Sequence, residues 1–276
     1  MVGGAGRPGA PPPQSAGRVS DHYRGAGQRW ATGACLVYGP IAEQLVARSP
    51  HPLGGRLVLD AGAGTGAASA ALQACRARPV AVDLSADMLR CNTAAGGARV
   101  VGDICALPIA DAAMHDAVAA FVLNHLVNPG FAFRELVRVV RPGGAVLACV
   151  YANRSHSAVR DRVDEIARAA GWHAPDWYVE VKAHATPVLG TASAMTAAAD
   201  EAGLSGVTVA ERPVDVGVTE PGQLVAYRFG QAQFTAWLES IGPAAGEAIR
   251  RAAVQAIRPV MEPYRPIVVF LTATSP

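Results

Sequence analysis

An α/β fold built on a largely parallel sheet is what this sequence predicts, on three observations. Short apolar runs with β propensity recur along the 276 residues and alternate with helix-forming stretches. The first run, Leu57-Val-Leu59, ends in Asp60, and glycines follow at alternate positions, Gly62, Gly64 and Gly66. Ala67 to Cys75, rich in Ala and Leu, then reads as a helix. Strand, glycine turn and helix make the first unit of a nucleotide-binding sheet, where backbone approaches a ligand because no Cβ intervenes.

The glycines alone leave the ligand open, since Gly62-x-Gly64-x-x-Ala67 also fits a dinucleotide fingerprint. Asp60 shifts the balance. A carboxylate just before the glycines repels a pyrophosphate but holds a cationic ligand by its ammonium group.

Composition sets the outer bounds. At 51% hydrophobic residues the chain can bury a sizeable core, as one large α/β domain with embellishments or as two small ones. Charged residues are only 17%, the formal net charge is +2, and lysine is nearly absent apart from Lys182. Without a Lys/Arg run, nucleic acid is not an expected partner. No apolar run reaches the roughly 20 residues of a membrane span, and the N-terminus lacks a signal-peptide core. The five cysteines never fall in a C-x-x-C spacing. They read as reduced core residues of a cytoplasmic protein, neither metal ligands nor a disulfide frame.

Taken in order, residues 1–18 are Gly, Pro and Ala and read as a disordered tail. Residues 19–32 carry His22, Tyr23 and Trp30, and Pro40 is expected to open a helix. Pro79-Val-Ala-Val-Asp83 is a second buried strand. Asp83 lies 23 residues beyond Asp60, near the spacing at which an acid grips ribose hydroxyls in such folds. It equally suits capping a helix that starts near Ser85. Leu84 and Met88 stand where they would line an adenine or belong to the core. Ala98 to Val101 forms the third strand, before Gly-Asp103-Ile104, and His115 to Phe121 the fourth, before Asn124 and His125. Ligands of such sheets sit beyond the carboxyl ends of the strands, so Asn124 and His125 fall at the mouth of the site. Arg141-Pro-Gly-Gly144 turns into the fifth strand, Ala145 to Tyr151. Further on, Ser157 caps a helix, an aromatic loop carries Trp177 and Tyr178, and residues 191–202 are helical. Val207 to Ala210 is a strand, 222–257 is helical, and Ile267 to Thr272 closes the chain as a strand.

Leu-Asp60-Ala-Gly-Ala-Gly-Thr-Gly66, Asp83, Gly-Asp103-Ile with Leu-Pro108, and Arg-Pro-Gly-Gly144 together resemble the class I S-adenosylmethionine-dependent methyltransferases, of the type 11-like small-molecule kind. The specific motifs cover residues 20–151, and the rest follows by order of elements. The resemblance implies a Rossmann-like seven-stranded sheet of order 3-2-1-4-5-7-6, with the last strand antiparallel. It places helical lid and substrate-binding segments at about 19–50, 152–200 and 217–265. It implies S-adenosylmethionine as cofactor and S-adenosylhomocysteine as product. Asp60, Ala61, Gly62, Gly64, Asp83, Leu84, Met88 and Phe121 would then surround the cofactor. Asp103 would take the adenine amino group and the Ile104 amide a ring nitrogen. Tyr23 would close over the cofactor, although packing of a surface helix accounts for it as well.

Such a cofactor carries its own activated methyl, so the protein aligns and desolvates, and a base is needed only if the acceptor must lose a proton. His125 is the expected base, since an imidazole titrates near neutrality, and His22 is second. Asn124, Trp177 and Tyr178 would contact the acceptor, a small molecule of natural-product, quinone or sugar type. Two other classes stay open at this point. One is a non-methylating enzyme on the same scaffold, such as a cyclase, and the other is an NAD-dependent oxidoreductase. The oligomeric state, monomer or homodimer, is not written in the sequence.

Overall fold

Most of the apolar runs form strands buried on both faces, because helices cover the sheet from either side; Arg99–Val101 and Ser205–Pro213, at the two ends of the sheet, hold no buried residue. The computed structural model describes residues 21–94 and 98–276, so the expected tail over 1–18 lies outside the described residues. The strands are β1 (Leu57–Ala61), β2 (Arg78–Asp83), β3 (Arg99–Val101), β4 (Asp116–Ala120), β5 (Ala145–Tyr151), β6 (Ser205–Pro213) and β7 (Ile267–Thr274). They make one sheet of order β3-β2-β1-β4-β5-β7-β6. The first five are parallel, and β7 runs antiparallel to both β5 and β6. This is the order the sequence predicts, and it reverses at β1, which pairs with β2 on one side and β4 on the other.

Successive residues of β1 enter different cores. Val58 packs with α1 (Cys35–Val46), α2 (Ala67–Ala74), α5 (Ala158–Ala169), α8 (Pro221–Phe229) and α9 (Thr235–Ile257). Leu59 packs with α4 (Gly130–Val139) and α7 (Ala192–Glu201) on the other face. Side-chain oxygens cap several helices, α8 through the Glu220–Gln223 capping box among them. Ser85 accepts from the Met88 amide ahead of α3 (Ala86–Arg90), Ser157 from the Arg160 amide, and Thr191 from the Ala194 amide.

Several expectations need correction. Pro40 does not open its helix: a π-helical turn, Trp30–Ala34, runs straight into α1, which leaves Pro40 inside. The stretch 222–257 is helical as expected, divided between α8 and α9, and α9 is kinked at Gly242, whose φ of 76° no right-handed helix admits, just before Pro243. Of the five cysteines only Cys149 is buried; Cys75 caps the C-terminus of α2 and is exposed. Among the described residues no helix is long and apolar enough to cross a membrane.

Two glycines bring the N-terminal segment onto the domain. A Cβ on Gly33 would fall 2.3 Å from the Ala226 carbonyl oxygen, and one on Gly230 would fall 2.7 Å from the Ala34 nitrogen. Their absence lets α8 lie directly on the turn Trp30–Ala34, which aims Trp30 and Tyr38 over the carboxyl edge of the sheet.

The amino edge is closed by a polar clamp that the sequence did not announce. Asp116, 1% exposed, accepts from Arg56 Nε (2.6 Å) and Nη2 (3.1 Å) and from the Ala145 amide (2.8 Å), and it meets His51 Nε2 at 2.7 Å. Burial pushes its carboxyl up, but these hydrogen bonds outweigh burial and hold it below the usual carboxylate range.

Candidate active site

At the carboxyl edge, where the strand order reverses, the chain leaves a cavity of about 340 Å³. Its first wall is the loop after β1. Gly62 has φ of 69°, and a Cβ there would lie 2.3 Å from Val122 Cγ2, so this turn requires glycine both for its backbone and for its space. The Gly64 amide donates to Asp83 Oδ2 (2.8 Å) and the Ser85 amide to Asp83 Oδ1 (2.8 Å). Asp83 therefore both ties β2 to the glycine loop and presents its remaining lone pairs to the cavity. The capping and ligand-binding readings of this residue are compatible.

Asp60 is 1% exposed and accepts from Ser69 Oγ (2.6 Å), which in turn accepts from Asn92 Nδ2 (3.1 Å). Burial pushes its carboxyl up to about 6 against the lowering effect of Ser69. Burial also raises Asp83, against the lowering effect of the Ser85 and Gly64 amides. Neither carboxylate has a cationic partner among the described residues. Asp103, after β3, accepts from the Cys105 amide (2.8 Å) and shares the same cavity with Ile104. Leu84 and Met88 line it as well.

The far wall is aromatic. Phe121, just past β4, has φ of 59°, a left-handed conformation that a bulky residue rarely adopts. Its amide donates to the Cys149 carbonyl (2.9 Å), and its ring packs 4.5 Å from Tyr151 and 4.9 Å from Tyr38, centroid to centroid. Tyr38 stacks on Trp30 (5.2 Å), and Trp30 meets Tyr23 edge-on (5.8 Å). The 3₁₀ turn Leu123–His125 adds Asn124 and His125 between the two walls. The Tyr23 hydroxyl lies 3.4 Å from His125 Nε2 and 3.5 Å from Nδ1. Burial, with Lys182 and His22 nearby, pushes the His125 imidazole down to about 4, so it is neutral at neutral pH.

Most of the residues singled out in the sequence therefore meet around one cavity: Tyr23, Asp60, Gly62, Gly64, Asp83, Leu84, Met88, Asp103, Ile104, Phe121, Asn124 and His125. Four do not. Ala61 is a fully buried strand residue whose side chain enters the core beneath the sheet. His22 and Trp177 stack on each other, 4.7 Å between centroids and 10° between planes, and neither lines the cavity. The Tyr178 hydroxyl accepts from Arg228 Nη2 (3.4 Å), and Arg228 grips Asp164 at 2.6 and 2.7 Å, a buried ion pair apart from the cavity. Sequence reasoning missed Tyr38 and Tyr151. No local motif marks them, because they become neighbours only when α1 packs against the end of β5.

Residues 59–148 match the family model described as a methyltransferase domain. This stretch of the chain is a methyltransferase domain. Relatives agree: the chain is 36% identical over 103 residues to the demethylmenaquinone methyltransferase of Mycolicibacterium paratuberculosis, a match covering 37% of this chain and 45% of that one. A second such enzyme, from Clavibacter sepedonicus, is 35% identical over 44% of this chain and 52% of its own. The chain thus spans about half the length of the curated relatives it matches. The fold of the whole domain is shared with a Thermotoga maritima structure described as a SAM-dependent methyltransferase, possible histamine N-methyltransferase. There the TM-score is 0.55 at 14% identity, covering 94% of this chain and 99% of the other.

Proposed function

We propose that this methyltransferase domain binds S-adenosylmethionine at the acid-lined end of the cavity and directs its methyl to a small-molecule acceptor at the aromatic end. One observation carries the reading: two carboxylates without cationic partners among the described residues, the buried Asp60 and the half-buried Asp83, open onto the same space as the glycine loop. Asp83 has lone pairs left for a vicinal diol, and Asp60 offers a counter-charge to an ammonium group. Asp103 and the Ile104 amide are placed to read a purine edge beside Leu84 and Met88. When bound, the cofactor supplies an activated methyl whose departure leaves a neutral thioether.

The chain's own part is alignment and exclusion of water by Tyr23, Trp30, Tyr38, Phe121 and Tyr151. His125, neutral and enclosed, accepts a proton where the acceptor loses one. The relatives named demethylmenaquinone methyltransferase support a quinone-type acceptor, as does the aromatic wall.

The test is binding followed by transfer. S-adenosylhomocysteine should bind, and Asp83→Ala should weaken it by about 1.5–3 kcal/mol, the scale of hydrogen bonds to a charged group. Label from methyl-labelled S-adenosylmethionine should move to a demethylated naphthoquinol. Label that stays on the cofactor would point to a non-methylating reaction on this scaffold. An Asp83→Ala dissociation constant equal to wild type would remove Asp83 from the ribose.

A further inference from the structure

Among the side chains around the cavity, one is left with an unanswered polar atom. Asn124 is 8% exposed, lines the cavity, and its Oδ1 is buried with no hydrogen-bond partner among the described residues. The two other orphaned buried atoms, Arg48 Nε and Thr235 Oγ1, do not line the cavity. A buried acceptor without a donor costs stability unless something supplies the donor, and the side chain that carries this one belongs to the cavity wall.

Its surroundings say which ligand. The charged side chains of the cavity wall, Asp60, Asp83 and Asp103, follow β1, β2 and β3, at the end assigned to the cofactor. Beyond them the wall is rings, and the hydroxyls of two of these are already engaged from behind. Tyr38 accepts from Gln231 Nε2 (3.1 Å), and Tyr151 meets the Tyr227 hydroxyl at 3.2 Å. The neighbouring His125 is held uncharged by burial. Among the described residues no Lys or Arg lines the cavity, and Lys182, near enough to act on His125, is not part of the wall, so no cation of the lining answers a carboxylate, phosphate or sulfonate.

We infer that Asn124 Oδ1 is a specificity determinant: it accepts a hydrogen bond from an O–H or N–H of an uncharged, flat aromatic acceptor. The inference rests on the methyl-transfer reading of the cavity and goes beyond it in naming the atom that selects the acceptor. It carries a consequence for turnover. Where the donor is the group that becomes methylated, the product no longer satisfies Oδ1, and the site favours substrate over product.

The experiment uses the full chain saturated with S-adenosylhomocysteine, titrated with 2-naphthol, with 2-methoxynaphthalene, which lacks the donor, and with 2-naphthalenesulfonate, which carries a charge. Wild type should bind 2-naphthol roughly tenfold or more tightly than either of the others, the discrimination expected of a buried polar group built for a donor. Asn124→Leu, close in size, should erase the preference over 2-methoxynaphthalene while leaving S-adenosylhomocysteine affinity unchanged, which also shows that the variant is folded. Equal binding of 2-naphthol and 2-methoxynaphthalene by wild type, tightest binding of the sulfonate, or no binding of any of the three would each overturn the inference. So would a loss of S-adenosylhomocysteine affinity in Asn124→Leu, which would give Oδ1 to the cofactor instead. Failure of wild type to bind S-adenosylhomocysteine would defeat the methyl-transfer reading itself, a separate result.

Discussion

The two edges of the sheet each bury an aspartate at 1% exposure, and they treat it in opposite ways. At the amino edge Asp116 receives Arg56, His51 and a backbone amide, and its carboxyl is held below its ordinary range. At the carboxyl edge Asp60 receives one serine hydroxyl, and burial pushes it up to about 6. The first is a finished structural joint. The second is a buried carboxylate without a cationic partner, and on the proposed function a ligand's ammonium group completes it. The signs of the pH effects differ accordingly. Asp116 contributes stability above its ordinary value that is lost as pH falls through its lowered one. Asp60 costs the folded state stability as pH rises from its ordinary value to about 6, and above that the cost stays constant.

The largest effect expected at the carboxyl edge concerns chemistry alone. If His125 takes a proton from the acceptor, His125→Ala should lower turnover by about 10²–10⁴-fold with cofactor affinity unmoved. Because its imidazole sits at about 4 in the free protein, the acidic limb of the kcat/KM profile belongs near that pH, not near the ordinary 6.5. A decline of only a few fold, with the limb unchanged, would make His125 a wall of the pocket.

The paired aspartates come next. Asp60→Asn should weaken S-adenosylhomocysteine binding roughly tenfold or more, with a melting temperature equal to or above wild type, since it relieves a buried charge. Asp116→Asn should do the reverse, costing about 1–3 kcal/mol of stability through weakened hydrogen bonds to Arg56. Its folded fraction should bind S-adenosylhomocysteine normally. Calorimetric melting alongside binding reads both, and the same pattern in the two variants would dissolve the contrast between the edges.

The smallest effect lies just outside the cavity. Trp177→Ala removes the stack on His22 and should change S-adenosylhomocysteine affinity by no more than about twofold, within the few tenths of a kcal/mol of a surface change. A tenfold loss would mean that the stacked pair closes over the ligand.

The contrast between edges also explains what was legible in the chain. The acid end of the cavity is made by local chemistry: a strand stops at Asp60, glycines turn, and another strand stops at Asp83. Such patterns survive in one dimension. Asp116 looked like any residue at the head of a strand, because its partners, Arg56 and His51, arrive from 60 and 65 positions away. The aromatic end is assembled likewise from Tyr23, Trp30, Tyr38, Phe121 and Tyr151, and only packing brings them together. Some misreadings were avoidable. Gly242-Pro243 is a breaker pair inside a stretch read only as helical. Pro40 misled because proline at a helix start is the common case, whereas here Trp30 to Ala34 already forms a helical turn before it.

The central claim, that Asp60 is a charge awaiting an ammonium group, is tested most directly by titrating the protein with S-adenosylhomocysteine at pH 5 and at pH 7.5. The ligand's ammonium stays protonated throughout, so the change in affinity reports the carboxylate. With Asp60 at about 6, affinity should be roughly tenfold weaker at pH 5, and binding near pH 6 should release protons into the buffer. Affinity independent of pH, or saturable binding of NAD with none of S-adenosylhomocysteine, would contradict it.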